Sequence, residues 1–332
     1  MFDKVYGHDR IKNILERMVS NNALHRGLCF YGPGGIGKRL LAREVSKAML
    51  CETQTGCGTC IHCTKFDHGN HPDYQEIEPD GADIKVNQVR EISENLHFRP
   101  FEARARMIVM DRVELFREEA ANAFLKSLEE PPEYVYFILV CADIKALLPT
   151  IRSRCQKVAF QTLKDDDKTN ILVSGFGKGE HMARRLASIS FRRLETEDDA
   201  WNLFLKDVKT SLAYLKMMVH EGHSLDYFSD LVRDKAGFPR FLDHLTATLR
   251  ELTLLAAGLP AQELFHDFQA DMKTLSERAD ASSWRSLWEM VVRLNGDRRR
   301  NLNLSLWFNA VSVTELNLME KAANALKKRM RR

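Results

Sequence analysis

Apolar residues fall into two kinds of spacing along this chain. In the first half, short unbroken apolar runs alternate with stretches spaced by three and four. Leu28–Tyr31, Tyr74–Ile77, Arg106–Met110, Tyr134–Cys141 and Val158–Phe160 read as strands. Between them, apolar positions at Ile11, Leu15, Met18 and Val19 predict a helix, with Asn21 and Asn22 as its stop. Further helices are expected from Lys38, over Ile84 to Leu96, and over Glu119 to Glu130, where Pro131 and Pro132 end the pattern. Strands that alternate with helices predict an α/β fold with a parallel sheet over residues 25–162. Past the charged run Lys164–Asp167 only helical spacing remains: His181–Ser190, Ala200–Val219, Phe238–Ala257, Ala261–Arg278, Trp284–Leu294 and Leu302–Leu326. The apolar faces of these helices fit a bundle core or subunit contacts.

The joint between the first strong strand and its helix carries chemistry. Gly32, Pro33, Gly34, Gly35 and Gly37 make a glycine-rich turn, and Lys38 opens the helix. Strand, glycine loop and helix in this order form a phosphate-binding loop, with backbone N–H groups turned inward and a lysine for the outer phosphates. ATP with Mg2+ is the expected ligand. The alternative is a retained turn that binds nothing. One position departs from the pattern: Arg39 stands where a Ser or Thr hydroxyl would hold the metal ion. The strand Arg106–Met110 ends in Asp111, a carboxylate placed to face the same crevice. The next residue is Arg112, which cannot act as a base, with Glu114 two positions on.

Cys51, Cys57, Cys60 and Cys63 fall within thirteen residues of a chain with seven cysteines. Four thiolates able to converge predict a closed, structural Zn2+ site. Surface thiols or an iron–sulfur cluster are the alternatives. His62, His68 and His71 are expected to be surface residues rather than ligands. A chain of 332 residues has room for two or three domains. Its net charge of +3 is too small to name a nucleic-acid partner. No stretch resembles a signal peptide or membrane span, so a cytoplasmic protein that contacts no membrane is expected. The basic ends of the last helices, Arg298–Arg300 and the terminal KKRMRR, read as solvated.

Longer motifs now align. GPGGIGK, the cysteine cluster, HPD at His71–Asp73, DIKVNQVREI from Asp83, AANAFLKSLEEPP from Ala120 and LLPTIRSRCQ from Leu147 occur in this order. Together they resemble the delta-prime family of bacterial DNA polymerase III clamp-loader subunits, within the AAA+ proteins. The C-terminal third resembles it only in helical pattern and length. The resemblance implies an AAA+ domain over 1–163 with an inserted zinc module at 51–63, a helical lid over 164–204 and a helical collar over 205–332. It implies partners: gamma/tau and delta subunits, the sliding clamp and primer–template DNA, at replication sites on the nucleoid. It places an arginine finger, offered to a neighbouring ATP site, at Arg154 in the S-R-C motif. Gly32, Gly35, Gly37, Lys38, Arg39 and Asp111 line the chain's own nucleotide pocket. A sensor would fall at Cys141 or Ala142, neither bearing a hydroxyl, and a lid arginine at Arg184 or Arg185. These departures point to a subunit with no intrinsic ATPase. An ATP-hydrolysing subunit of gamma/tau type is the alternative, and a self-contained nucleic-acid-binding protein is a third reading.

Overall fold

The computed structural model describes residues 1–81, 83–190, 194–220 and 237–297. The expected helix Leu302–Leu326, Arg298–Arg300 and the basic tail lie outside them. The chain divides into two compact units, Met1–Leu194 and a second beginning at Glu195.

The first unit is built on five parallel strands: β1 (Gly27–Tyr31), β2 (Tyr74–Ile77), β3 (Arg106–Met110), β4 (Val135–Cys141) and β5 (Gln156–Ala159). Their order is β2-β3-β4-β1-β5, and every pairing is parallel. The central strands are apolar on both faces because both are covered, as parallel sheets require. Alternation then sorts the side chains. Leu28, Phe30, Met107, Val109, Ile138 and Val140 turn to one face, where they meet Leu15 and Val19 of α1 (Asp9–Ser20) and Leu41 and Val45 of α2 (Lys38–Leu50). Cys29, Ile108, Met110, Phe137 and Leu139 turn to the other. There they pack on α4 (Val86–Asn95) and α5 (Glu118–Glu129) through Val89, Ile92, Ala121 and Phe124. A short helix, α3 (Ile61–Asp67), lies between α2 and β2. Helix α6 (Pro149–Arg154) precedes β5.

The run Asp165–Asp167, past which the spacing turns helical, forms the first turn of α7 (Asp165–Phe176). Three carboxylates there face the positive end of the helix dipole, which favours a helix start at this point. Gly177, in left-handed conformation, closes α7, and α8 (Glu180–Ile189) follows.

The second unit is helical in its described residues: α9 (Ala200–His220), α10 (Gly237–Ala256), α11 (Gln269–Ser276) and α12 (Ala281–Asp297). The continuous helix expected over 261–278 is instead a 3-10 stretch, Glu263–Phe268, followed by α11. Phe204, Val208, Leu212, Phe241, Leu245, Leu249, Trp284 and Leu287 are buried, as the three-and-four spacing requires. Asp207 sits within this core and accepts from His244 Nδ1 and Arg240 Nε, each at 2.8 Å. No helix among the described residues is long and apolar enough to cross a membrane.

Candidate functional site

The glycine turn leaves the carboxyl end of β1, an inner strand of the sheet. Gly32 has φ +145°, and a Cβ there would lie 2.3 Å from the Phe160 carbonyl oxygen. No other residue fits where the loop passes that backbone. Gly37 caps α2 at φ +88°. Lys38, nearly buried, turns its Nζ back onto the loop and donates to the Gly32 carbonyl at 2.7 Å and to the Pro33 carbonyl. The loop thus has phosphate-loop form, with its lysine seated on the loop's own carbonyls.

Arg39 is the informative residue. Its Nε donates to Glu76 Oε1 at 2.5 Å, and its Nη2 pairs with Glu78. Arg43, one turn on, holds Glu76 Oε2 at 2.5 Å, and Tyr74 OH donates to the same oxygen at 3.0 Å. Desolvation works against the Arg39 charge, and the hydrogen bond and charge of Glu76 outweigh it. The position that carries a metal-binding hydroxyl in a working loop is here a cation tied to the end of β2.

Asp111 follows β3, largely buried. Desolvation raises its pKa, offset in part by the Arg112 backbone N–H and the nearby Arg39 charge. Arg112 adopts φ +53° and turns outward, half exposed, with Nε 3.9 Å from Asp111 Oδ2. Glu114 Oε1 accepts from the Ala142 backbone N–H at 3.1 Å, which engages that carboxylate at the end of β4. Cys141 ends β4 with its Sγ 3.9 Å from Cys29 Sγ; that contact and burial keep its thiol protonated. Arg184 pairs with Glu180 one turn earlier on α8, not with the loop.

The four cysteines converge. Their sulfurs lie within 4.8 Å of one another, with Cys51–Cys57 at 3.6 Å, Cys51–Cys60 at 3.9 Å and Cys57–Cys63 at 4.0 Å. A tetrahedral ion with sulfurs at about 2.3 Å places them about 3.8 Å apart. Backbone N–H groups of Cys57, Cys60 and Cys63 point at Cys51, Cys57 and Cys60 sulfurs at 3.4–3.5 Å, an arrangement that favours thiolates. Burial pushes the Cys51 thiol up, but hydrogen bonds from Thr53 and from backbone N–H groups prevail and bring it down to about 5. The Thr59 hydroxyl and backbone draw Cys57 down to about 7. Burial pushes Cys63 up. The four residues fit a metal ion, and the donor set leaves it no open position. Lys47 of α2 and Asp67 of α3, 2.6 Å apart, brace the cluster against the phosphate-loop helix.

The histidine expectation fails at one position. His68 is exposed and His62 half-buried, but His71 is buried. Its Nδ1 accepts from the Asp73 N–H at 3.1 Å, so Nε2 carries the proton and meets His62 Nδ1 at 3.0 Å. Asp73, fully buried, accepts from the N–H groups of Phe101, Glu102 and Ala103 at 2.7–2.9 Å. The HPD motif is a structural clamp that fastens the loop before β3 to the start of β2.

Arg154 ends α6. Its Nη2 meets Glu129 Oε1 at 2.5 Å, and its Nη1 donates to the Thr150 carbonyl at 2.9 Å. It does not share a site with Lys38 or Asp111. Cys155, beside it, is buried, and burial pushes its thiol up to about 12.

A parallel sheet with a phosphate loop after β1 and an acidic residue after β3 defines a P-loop domain of AAA+ type. Residues 7–164, just under half of the chain, match the sequence family described as "DNA polymerase III, delta subunit". The chain is 32% identical over 181 residues to the DNA polymerase III gamma subunit of Buchnera aphidicola, covering 54% of this chain and 50% of that one. It thus spans half the length of that relative. It is 24% identical over 306 residues to the delta' subunit of Bacillus subtilis, covering 90% of this chain and 92% of that one. Among solved structures, a gamma subunit-related protein from Thermotoga maritima aligns with 92% of this chain and 99% of its own, at 17% identity and a TM-score of 0.43.

Proposed function

We propose that this chain is a non-motor subunit of the DNA polymerase III clamp loader, of delta-prime type. In this reading it takes a place in a ring with gamma/tau and delta subunits. It helps set the sliding clamp on primer–template DNA and lends Arg154 to the ATP site of a neighbour. Residues 1–163 act as the AAA+ domain, 164–204 as its lid and 205–332 as the collar that holds the ring. The cysteine cluster binds one Zn2+ and supplies folding energy rather than chemistry.

The observation that carries this reading is Arg39 bound to Glu76 and Glu78. Phosphoryl transfer needs metal, carboxylate and positioned water as one unit. Here a guanidinium stands at the metal-ligand position, Arg112 follows Asp111, and Cys141 offers no hydroxyl at the end of β4. If a nucleotide is bound, Lys38 and the loop N–H groups would hold its phosphates, and Asp111 would face its metal. The alignment with the Bacillus subtilis delta' subunit also runs through the helical C-terminal part.

The chain's identity with the gamma subunit of Buchnera aphidicola over about half of its length favours a second reading, an ATP-hydrolysing loader subunit. One experiment separates the two. The purified chain alone should hydrolyse ATP at background rate. Reconstituted with the ATP-binding subunits of its own loader, it should support DNA-stimulated ATPase that Arg154→Ala lowers at least about tenfold. ATPase of the isolated chain that Lys38→Ala abolishes would establish the gamma/tau reading instead.

A further inference from the structure

Arg154 is held before it meets any neighbour. Nη1 is fixed by the Thr150 carbonyl at 2.9 Å, with Ser153 Oγ at 3.4 Å, and Nη2 by Glu129 at 2.5 Å. The two partners come from different helices: Thr150 from α6 itself and Glu129 from the last residue of α5. Helix electrostatics account for only one member of the ion pair. A cation at the C-terminus of α6 is favoured by the helix dipole, and Arg154 also reaches its own helix's carbonyl. A carboxylate at the C-terminus of α5 is disfavoured by the same effect. Glu129 therefore gains nothing from its own helix, and its described ionic partner is Arg154.

With two sides held, the plane of the guanidinium is set. Nε–H makes no hydrogen bond among the described residues, and Nη2 keeps a second proton. One Nε–H beside one Nη2–H is the fork that takes two oxygens of a phosphate.

We propose that Glu129 is a positioning residue for Arg154: it fixes the guanidinium so that the Nε–Nη2 edge is presented to a phosphate brought by an adjacent subunit. The proposal rests on the trans role of Arg154. Both side chains are about two-fifths exposed, 36% for Arg154 and 46% for Glu129. Such a pair adds little to stability. Its effect lies in ordering a long side chain before the encounter, which lowers the entropic cost of reaching the transition state.

The test is steady-state ATPase of the reconstituted loader with clamp and primed DNA, read as kcat and KM for ATP. Glu129→Ala should lower kcat about three- to tenfold and change KM less than about twofold, since misplacement acts on the reacting geometry. Glu129→Gln keeps an acceptor oxygen and should stay within about twofold of the parent. In an Arg154→Ala background, Glu129→Ala should add nothing. Thermal melting and complex assembly should match the parent for each variant. A parent-like kcat for Glu129→Ala overturns the proposal and leaves the finger standing. So does a Glu129→Gln as slow as Glu129→Ala, or a further loss in the Arg154→Ala background. A parent-like Arg154→Ala removes the finger reading itself, and Glu129 falls with it.

Discussion

The phosphate loop and the cysteine cluster sit at opposite ends of α2, and they have fared differently. At the N-terminal end the scaffold is complete: the glycines, the close pass at Phe160 and the lysine are all in place. Lys38 and Asp111 remain, but Arg39 stands at the metal-ligand position and Arg112 follows Asp111, and Arg39 has its own partners in Glu76 and Glu78. At the C-terminal end the donor set itself is complete. Four sulfurs lie within 4.8 Å of one another, three pairs of them at 3.6–4.0 Å, with N–H groups aimed at three of the sulfurs. A loop geometry is maintained by backbone constraints whether or not chemistry follows. A four-sulfur cluster on a surface segment has no comparable reason to stay together without its ion.

The largest effect should therefore come from the cysteine end. Elemental analysis of gently purified protein should find about one zinc per chain. Chelation, or the double substitution Cys57→Ser and Cys60→Ser, should free the segment around α3 and lower Tm by roughly 10 °C or more. Structural zinc is worth ~10–16 kcal/mol in small zinc peptides, so even part of that is a large shift here. Iron in place of zinc, or a Tm that chelators leave alone, would reverse the contrast between the two ends. Zinc affinity should also rise with pH, because the metal takes thiolates and releases protons. Cys63, pushed up by burial, must lose a proton on binding.

Next in size is Asp73, which holds the loop before β3 to the start of β2. Its carboxylate holds three N–H groups of residues 101–103, and Glu102 of that loop pairs with Lys65 of α3 at 2.5 Å. Asp73→Ala leaves those donors buried without an acceptor and should cost about 3–5 kcal/mol in chemical denaturation. Asp73→Asn, with one acceptor oxygen, should cost less. Equal stability of the Ala variant and the parent would mean the clamp does not hold the loop.

Most of the sheet was legible because burial on both faces leaves unbroken apolar runs, and β1, β3 and β4 are such runs. The cysteine cluster was legible because ligand spacing is local. What the sequence hid is contact between distant segments. Glu76 and Glu78 look like ordinary polar positions on an edge strand until β2 lies beside α2. His71 and Asp73 read as a turn, since nothing local indicates that residues 101–103 return to them. Glu129 lies in a motif dominated by Leu128 and the two prolines, and its partner is 25 residues away. A signal existed at that position: a carboxylate at a helix C-terminus is out of place unless something across the gap answers it.

The smallest expected effect tests the phosphate-loop end itself. Arg39→Ser restores the missing hydroxyl and removes the cation. Glu76 keeps Arg43 and Tyr74, so only Glu78 loses its described partner. The pair is partly exposed, and the stability cost should be about 1 kcal/mol or less. A hydroxyl at this position can ligate Mg2+, so titration of a fluorescent ATP analogue should now tighten when Mg2+ is added. ATPase of the isolated variant should stay at background, because Arg112 still follows Asp111 and the unit that positions water is incomplete. Measurable turnover from that single change would mean the pocket lacks only its metal ligand, and the difference between the two ends of α2 would reduce to one side chain.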